Sequence, residues 1–387
     1  MRNRWAVLAV LFAVRATMAF QFQSVATVAP LLSGEFGVSI ADIGVLIGLY
    51  FAPGIVLALP GGAIGQRLGD KSTALGALLL MVAGSLMMAA AISWNIQIAG
   101  RLVAGAGGII LTVQLTKMMT DWFAGKEIAT AMAIFVNSWP AGIAVSLLVL
   151  PWIGTGYGVG AVHLGVAAFI ACGGVLLAAL YRPPPDVAAM PTARGRLDRS
   201  AATAVIAAGV IWGLFNIGFA IIFSFGPTML VERGWTIAEA GSALSIGLWI
   251  AVFSVPFGGW LADRTGRSQT VLVTGCIVFA LLMILLPRTS AVILTIVLLG
   301  LVAGQPAGPI MSLPARVLQP ATRAIGMGLF FTVYYAAMMV GPVIGGACAK
   351  WTGSSAAAFD FGAAMILLCP LILWGFNRIP HPIPKTA

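Results

Sequence analysis

Arg15 lies about ten residues into the first apolar run of the chain, far from any polar stretch. An arginine near the middle of a bilayer costs about 2.5–3.5 kcal/mol on insertion scales and calls for a partner. Its guanidinium stays protonated and presents a planar fork of donors, suited to a carboxylate or another planar oxyanion. The chain has eleven acids: Glu35, Asp42, Asp70, Asp121, Glu127, Asp186, Asp198, Glu232, Glu239, Asp263 and Asp360. None of them falls near the middle of an apolar run. An anionic ligand would supply the missing charge. The alternative is that Arg15 bonds helix carbonyls or snorkels to the interface.

Other residues that do chemistry are sparse. There are two histidines, His163 within an apolar run and His381 in the tail, and four cysteines, Cys172, Cys276, Cys348 and Cys369. Neither set has metal-ligand spacing, so no metal site and no cofactor are expected. A membrane-embedded enzyme would need a cluster of acids, histidines or cysteines that this chain lacks. The cysteines read as small buried hydrophobes. His163 titrates near neutrality when unperturbed, but its place near the end of a run fits an interfacial polar residue better than a proton site. Gln21 and Gln23 follow Arg15 on the same run; Gln23 is turned roughly 80° from Arg15 about a helix, close enough to share its space, and Gln21 points elsewhere.

These residues sit on elements of one kind. Sixty per cent of the chain is hydrophobic and 8% is charged, against about 25% charged in a soluble domain. Twelve apolar runs approach the roughly 20 residues needed to span a bilayer: 5–32, 43–64, 74–92, 96–119, 128–150, 159–180, 202–230, 242–261, 270–286, 292–313, 324–349 and 356–376. The fold class is therefore an all-α membrane protein of twelve transmembrane helices, with the lipid bilayer as its main partner. The first run carries Arg15, Gln21 and Gln23 and is too long for a cleaved leader. The net charge of +10 does not imply nucleic acid, because the basic residues sit singly or in pairs at the ends of runs. Of 21 lysines and arginines, Arg233, Arg288 and Lys350 fall on one side, Arg15 and Arg101 lie within runs, and the rest share the side of the termini. The positive-inside rule puts both termini in the cytoplasm, and the expected location is a bacterial inner membrane.

The chain also repeats itself. The turn Gly61-Gly62-Ala63-Ile64-Gly65-Gln66-Arg67-Leu68-Gly69-Asp70-Lys71 recurs as Gly258-Gly259-Trp260-Leu261-Ala262-Asp263-Arg264-Thr265-Gly266-Arg267, with Gly62 and Gly259 separated by 197 residues. The same offset pairs Pro30 with Pro227, Glu35 with Glu232, Gly37 with Gly234 and Gly44 with Gly241. A fixed internal period marks duplicated units. The division expected is a six-helix bundle over 1–182, a proline- and arginine-rich cytoplasmic linker over 183–200, and a second six-helix bundle over 201–387. The offset carries Arg15 onto Trp212, Ala19 onto Asn216, Asn137 onto Tyr334 and Gly108 onto Gln305.

The turn, written Gly-x-x-x-Asp-Arg-x-Gly-x-(Arg/Lys), resembles the signature loop of the major facilitator superfamily of transporters. Its second copy matches at Gly259, Asp263, Arg264, Gly266 and Arg267. The first matches at Gly62, Arg67, Gly69 and Lys71 and departs at Gln66, where the family has an acid. Arg101-Leu102-Val103-Ala104-Gly105-Ala106-Gly107 is similar to the family's Arg-x-x-x-Gly-x-Gly motif, which implies a structural or gating role for Arg101. The resemblance implies two bundles rocking about a site at mid-depth, lined by helices 1, 4, 7 and 10 with 2, 5, 8 and 11 beside them. That site would comprise Arg15, Asn137, Trp139, Trp212, Asn216, Gln305, Tyr334 and Tyr335. For the polar members the alternative is a helix–helix hydrogen bond, and for the aromatic ones ordinary packing. Pro140 in Asn137-Ser138-Trp139-Pro140 would free a carbonyl one turn earlier, which is tolerated where a helix lines a cavity. The segment 15–30 is similar to the cyanate-permease-like branch, carriers of cyanate, nitrate, nitrite and nitroimidazole-type compounds. The antiporter motif of helix 5 and the Asn-rich glycine signature of nitrate carriers are absent. The expected function is secondary active or facilitative transport of a small organic or inorganic anion by alternating access, as a monomer. Export of drug-like or other neutral molecules is the alternative, and a non-transporting membrane receptor or scaffold is the alternative from another class.

Overall fold

In hydrocarbon every main-chain polar group must be satisfied within the segment, and an α-helix does this. The computed structural model describes residues 3–57, 65, 68–123, 128–184, 197–319 and 322–380, and every regular element among them is helical. Gly62, Arg67, Gln66 and most of the linker lie outside the described residues. Eleven described segments are long and apolar enough to cross a membrane, and one of them, Ile134–Leu180, runs to 47 residues. Gly158 interrupts that segment at φ 82° and ψ 175°, conformations open mainly to glycine. Counted on either side of Gly158, the spans number twelve.

We label them in chain order. α1 is Arg4–Thr27, α2 Ile40–Leu57, α3 Asp70–Ala89 and α4 Trp94–Phe123. α5 joins Ile128–Val136 to residues 138–157, and α6 is 159–180. α7 is Arg199–Glu232, α8 Ile237–Thr265, α9 Ser268–Leu285, α10 Val292–Arg316, α11 Arg323–Thr352 and α12 Ala356–Phe376. Three spans break part-way: α2 after Leu49, α5 at Asn137 and α10 after Ala303. Each break is followed within a few residues by a proline, Pro53, Pro140 or Pro306. Proline removes the N–H owed to the carbonyl four residues earlier.

The repeat is visible in the helix ends. At the start of α2, the carboxylate of Asp42 accepts from the main-chain N–H of Ser39 at 2.8 Å. At the start of α8, Glu239 accepts from Thr236 at 2.9 Å. Both are capping boxes, and 236 is 39 plus the 197-residue offset. Glycines with positive φ are paired in the same way, Gly37 (64°) with Gly234 (88°) and Gly69 (83°) with Gly266 (64°).

Small residues let the helices approach closely. A Cβ on Gly142 of α5 would overlap the carbonyl of Ala16 in α1. Between the first six helices and the last six, a Cβ on Gly44 or Gly48 of α2 would overlap the carbonyls of Pro342 or Met339 in α11, and one on Gly241 of α8 would overlap that of Leu147 in α5. Ser245 Oγ of α8 donates to Ala144 O of α5 at 3.0 Å. Alternating helix direction puts these contacts in the half of the molecule remote from the termini. There too Arg288 makes a two-pronged bond to Asp360 at 2.8 and 2.6 Å, and that carboxylate raises the guanidinium above its ordinary value. Cys276 and Cys369 are buried and Cys348 half-buried, but Cys172 is exposed. Its expected burial is corrected: it stands on an outer face of α6.

Candidate functional site

Arg15 is midway along α1. Its Nη1 donates to the carbonyl of Phe135 at 3.0 Å, the carbonyl of Val136 at 3.1 Å and Ser138 Oγ at 3.1 Å. The reason is the α5 break. Pro140 has no N–H for Val136, and the guanidinium supplies a donor in its place. Its plane also lies over the Phe135 ring, 4.8 Å from the centroid. The helix-carbonyl alternative therefore describes one nitrogen of Arg15. The opposite edge is different: Nε is buried without a partner, and no hydrogen bond among the described residues engages Nη2. The phenols of Tyr334 and Tyr335 lie close enough to act on the guanidinium. Among the described residues no carboxylate forms an ion pair with Arg15.

Aromatic rings wall this space. Tyr334 and Tyr335 are 5.1 Å apart, and Phe51 of α2 lies 6.2 Å from each. Trp139 packs on Phe22 at 5.3 Å and on Phe51 at 6.3 Å. Trp212 of α7 lies 6.2 Å from Tyr334, and Phe331 lies 6.3 Å from it. Phe22 and Phe51 are fully buried, whereas Trp139, Trp212, Phe331 and Tyr334 keep part of their surface accessible. So Arg15, Trp139, Trp212, Tyr334 and Tyr335 share one region drawn from both halves. The spacing argument did not single out Phe22, Phe51, Phe331 or Ser138. A signal existed for Phe22: the 197-residue offset carries it onto Phe219, another aromatic, in α7.

The three amides behave differently. Asn137 Nδ2 donates across the halves to Val252 O of α8 at 3.1 Å, and its Oδ1 is buried without a partner. Asn216 Nδ2 turns back to Trp212 O of its own helix at 2.8 Å, and Gln305 Nε2 does the same to Leu301 O at 2.9 Å. The main chain of Gln305 is packed against Gly258, whose Cβ position it would overlap.

Above the site, Arg101 is wholly buried. Its Nε donates to Leu46 O at 3.0 Å, Nη1 to Gln21 O at 3.2 Å and Nη2 to Phe22 O at 2.8 Å. One guanidinium thereby joins α1, α2 and α4. Gln21 reaches α3, donating to Met81 O at 2.8 Å and Ser85 Oγ at 2.7 Å. Gln23 Nε2 crosses to Phe223 O of α7 at 2.7 Å. His163 is 1% exposed, and its Nε2 has no partner among the described residues; the polar residue expected near the end of its run is packed inside the first six helices.

The signature turns are asymmetric. In the first, Gly69 precedes α3 and Lys71 Nζ donates to Ala178 O at 2.7 Å and Tyr181 O at 3.0 Å at the end of α6. Asp70 pairs with Lys117 of α4, which also meets Asp121 at 3.4 Å. In the second, Gly266 caps α8, Arg264 stacks 5.6 Å from the Trp260 centroid, and Asp263, Arg264 and Arg267 are exposed. Gly259 has open space where a Cβ would stand.

The model of the family described as Major Facilitator Superfamily matches residues 11–236 and 208–387. The lysosomal dipeptide transporter of Danio rerio is 26% identical over 265 residues, 60% of this chain and 56% of the relative, so the chain spans little more than half of that protein. Inner membrane transport protein YajR of Escherichia coli is 24% identical over 320 residues, 80% of this chain and 70% of the relative. Among solved structures, a bacterial homologue of the human lysosomal transporter Spinster, inward-facing and occupied, superposes with a TM-score of 0.75 at 15% identity, covering 98% of each chain. The nucleoside transporter NupG gives 0.74 at 14% identity, covering 96% of this chain and 100% of its own. At such identities the likeness is one of fold.

Proposed function

Since the chain belongs to the Major Facilitator Superfamily and is a multi-pass membrane transporter rather than an enzyme, we propose that its cargo is a small organic or inorganic anion. The observation that carries this is the Nε–Nη2 edge of Arg15, which at mid-depth has no hydrogen-bond partner and no paired carboxylate among the described residues. A buried charge left uncompensated is costly, and a bound anion removes that cost. Transporter sites lie at this depth between the repeats. In this reading Arg15 holds the charge, Tyr334 and Tyr335 supply hydroxyls, and Trp139 and Trp212 bound the sides. Asn137 holds the two bundles together, while Asn216 and Gln305 become available once they leave their own helix carbonyls. Gly62, Arg67, Gly69, Lys71, Arg101, Gly259, Asp263, Arg264, Gly266 and Arg267 serve the gate.

The two bundles, 1–182 and 201–387, joined by the linker 183–200, rock about this site in a monomer. Both termini face the cytoplasm of a bacterial inner membrane. The contacts between halves then close the outer side, and the described state is inward-facing.

The test is uptake by proteoliposomes of a panel containing small mono- and dicarboxylates, cyanate, nitrate, nitrite, and cationic and neutral compounds of similar size. Uptake restricted to anions and lost in Arg15→Gln supports the reading. Uptake of neutral compounds with Arg15→Gln unimpaired overturns it in favour of a neutral, drug-like cargo, the second reading, which the aromatic walls favour.

A further inference from the structure

We propose that the preferred cargo is a planar aromatic or heteroaromatic monocarboxylate, bound side-on to the Nε–Nη2 edge of Arg15 with its ring against Trp139, Tyr334 and Tyr335. The proposal rests on the anion reading above and goes beyond it.

Three observations carry it. The first is how Arg15 is held. Nη1 is fixed by Phe135 O, Val136 O and Ser138 Oγ, which sets the plane and direction of the guanidinium. The edge left over carries two parallel N–H groups. Two parallel donors match the two oxygens of a carboxylate. One fixed edge accounts for one carboxylate, and no second unpaired cation meets the space from the residues named around it.

The second is the composition of the wall. The rings that pack on Tyr334 and Tyr335 are Phe51, Phe331 and Trp212, and Trp139, next to the Ser138 that Arg15 bonds, joins them through Phe51. Aliphatic side chains would serve a branched or saturated acid equally well. Rings gain more from another ring than area alone gives, through offset stacking and edge-to-face contact.

The third is which rings are accessible. Phe22 and Phe51 form a buried underlayer, and Trp139, Tyr334, Trp212 and Phe331 keep exposed surface above it. Among the described residues no hydrogen bond engages either phenol oxygen. Both hydroxyls are thus free to meet a ring substituent or the carboxylate itself. The small apolar cavity elsewhere, lined by Phe223, Leu244, Leu248 and Ile296, has no charged group to meet an acid.

The experiment uses the purified full-length protein and radiolabelled benzoate, with competition by unlabelled cyclohexanecarboxylate, acetate and benzyl alcohol. The first competitor keeps the charge and ring size without the π-system, and the last keeps the arene without the charge. Benzoate should compete about five- to tenfold better than cyclohexanecarboxylate, and benzyl alcohol should not compete. Trp139→Leu should bring the ratio toward one while cyclohexanecarboxylate still competes, and Trp139→Phe should restore it. If cyclohexanecarboxylate matches benzoate in the wild type, the aromatic proposal falls and the anion reading stands. If benzyl alcohol matches benzoate, or Arg15→Gln binds benzoate unchanged, the anion reading falls with it. Absence of benzoate binding while cyanate or acetate binds also overturns the aromatic proposal.

Discussion

The side-chain amide of Asn137 in α5 donates to the main-chain carbonyl of Val252 in α8, 3.1 Å across the boundary between the two halves. Asn137 sits at the α5 break whose carbonyls Arg15 holds. The charge at mid-depth and the contact between bundles are therefore joined through three consecutive residues, Val136, Asn137 and Ser138.

Asn137→Leu removes that bond and leaves the Val252 carbonyl without a donor it needs, because Pro256, four residues on, has no N–H. A hydrogen bond contributes about 1 kcal/mol net, so the closed end should loosen by about that amount. The expected result is faster thiol labelling of a cysteine placed at Ser245, with surface expression unchanged. Unaltered labelling would show that the bond does not hold the bundles.

Arg15→Ala has two consequences at once. It removes the mid-depth charge, and it leaves the Val136 carbonyl without its side-chain donor, at a cost of about 1–3 kcal/mol, while the Phe135 carbonyl keeps Ser138 Oγ at 2.6 Å. Transport should vanish and the melting temperature should fall. Arg15→Lys keeps a donor for α5 but not the fork. Its melting temperature should stay near wild type while transport drops by about tenfold or more. A lysine variant with full transport would mean that fork geometry is irrelevant.

Glycines in this chain divide by what surrounds them. A Cβ on Gly48 would overlap the carbonyl of Met339, whereas one on Gly76 of α3 meets nothing within 4 Å. Gly48→Trp should prevent closure of that end and abolish transport in a protein that still reaches the membrane. Gly76→Ala should gain about 0.5–1 kcal/mol from helix propensity, read as a higher melting temperature. Transport by Gly48→Trp at the wild-type rate would remove α2 and α11 from the gate.

The signature turns should differ in sensitivity. Asp263→Asn should slow counterflow more than Gln66→Asn, because the first turn has no acid at that place. In the first half, the Asp70–Lys117–Asp121 cluster supplies fixed charge beside the turn. Equal effects of the two substitutions would show that the Asp263 carboxylate is not the acting group.

Coupling is the last measurable consequence. The mid-depth charge is an arginine, which does not titrate in the working range, and His163 is buried inside the first bundle. Exchange of one anion for another, or electrogenic uniport, should run in proteoliposomes without a pH gradient, and substrate on the far side should accelerate it. Strict dependence on an inward proton gradient, lost in His163→Ala, would make His163 the coupling residue instead.

Much of the architecture was legible before any coordinates. Lipid forces each span to declare itself as a long apolar run, and the 197-residue offset exposes the duplication through capping boxes and glycines as well as the signature turns. Pro140 announced a break in α5. What the break would hold was not legible, because a carbonyl has no residue type. Arg15 was conspicuous as a charge, but that its Nη1 would close a neighbouring helix depends on a packing distance no spacing encodes. Asn216 and Gln305 carry the same side-chain amide as Asn137, yet they bond their own helices. Phe51 and Phe331 are ordinary apolar residues in apolar runs, and only the meeting of two halves turns them into a wall.

Under the proposed anion reading, the double duty of Arg15 has an evolutionary consequence. Whatever draws the guanidinium toward a new cargo also changes the tension on the α5 joint. Affinity and turnover rate in this carrier are therefore inherited together, and a lineage cannot retune its cargo at this position without resetting its speed. Diversification has its freer path through the rings around the edge, Trp139, Trp212, Tyr334 and Phe331, which share the space without fastening the helix.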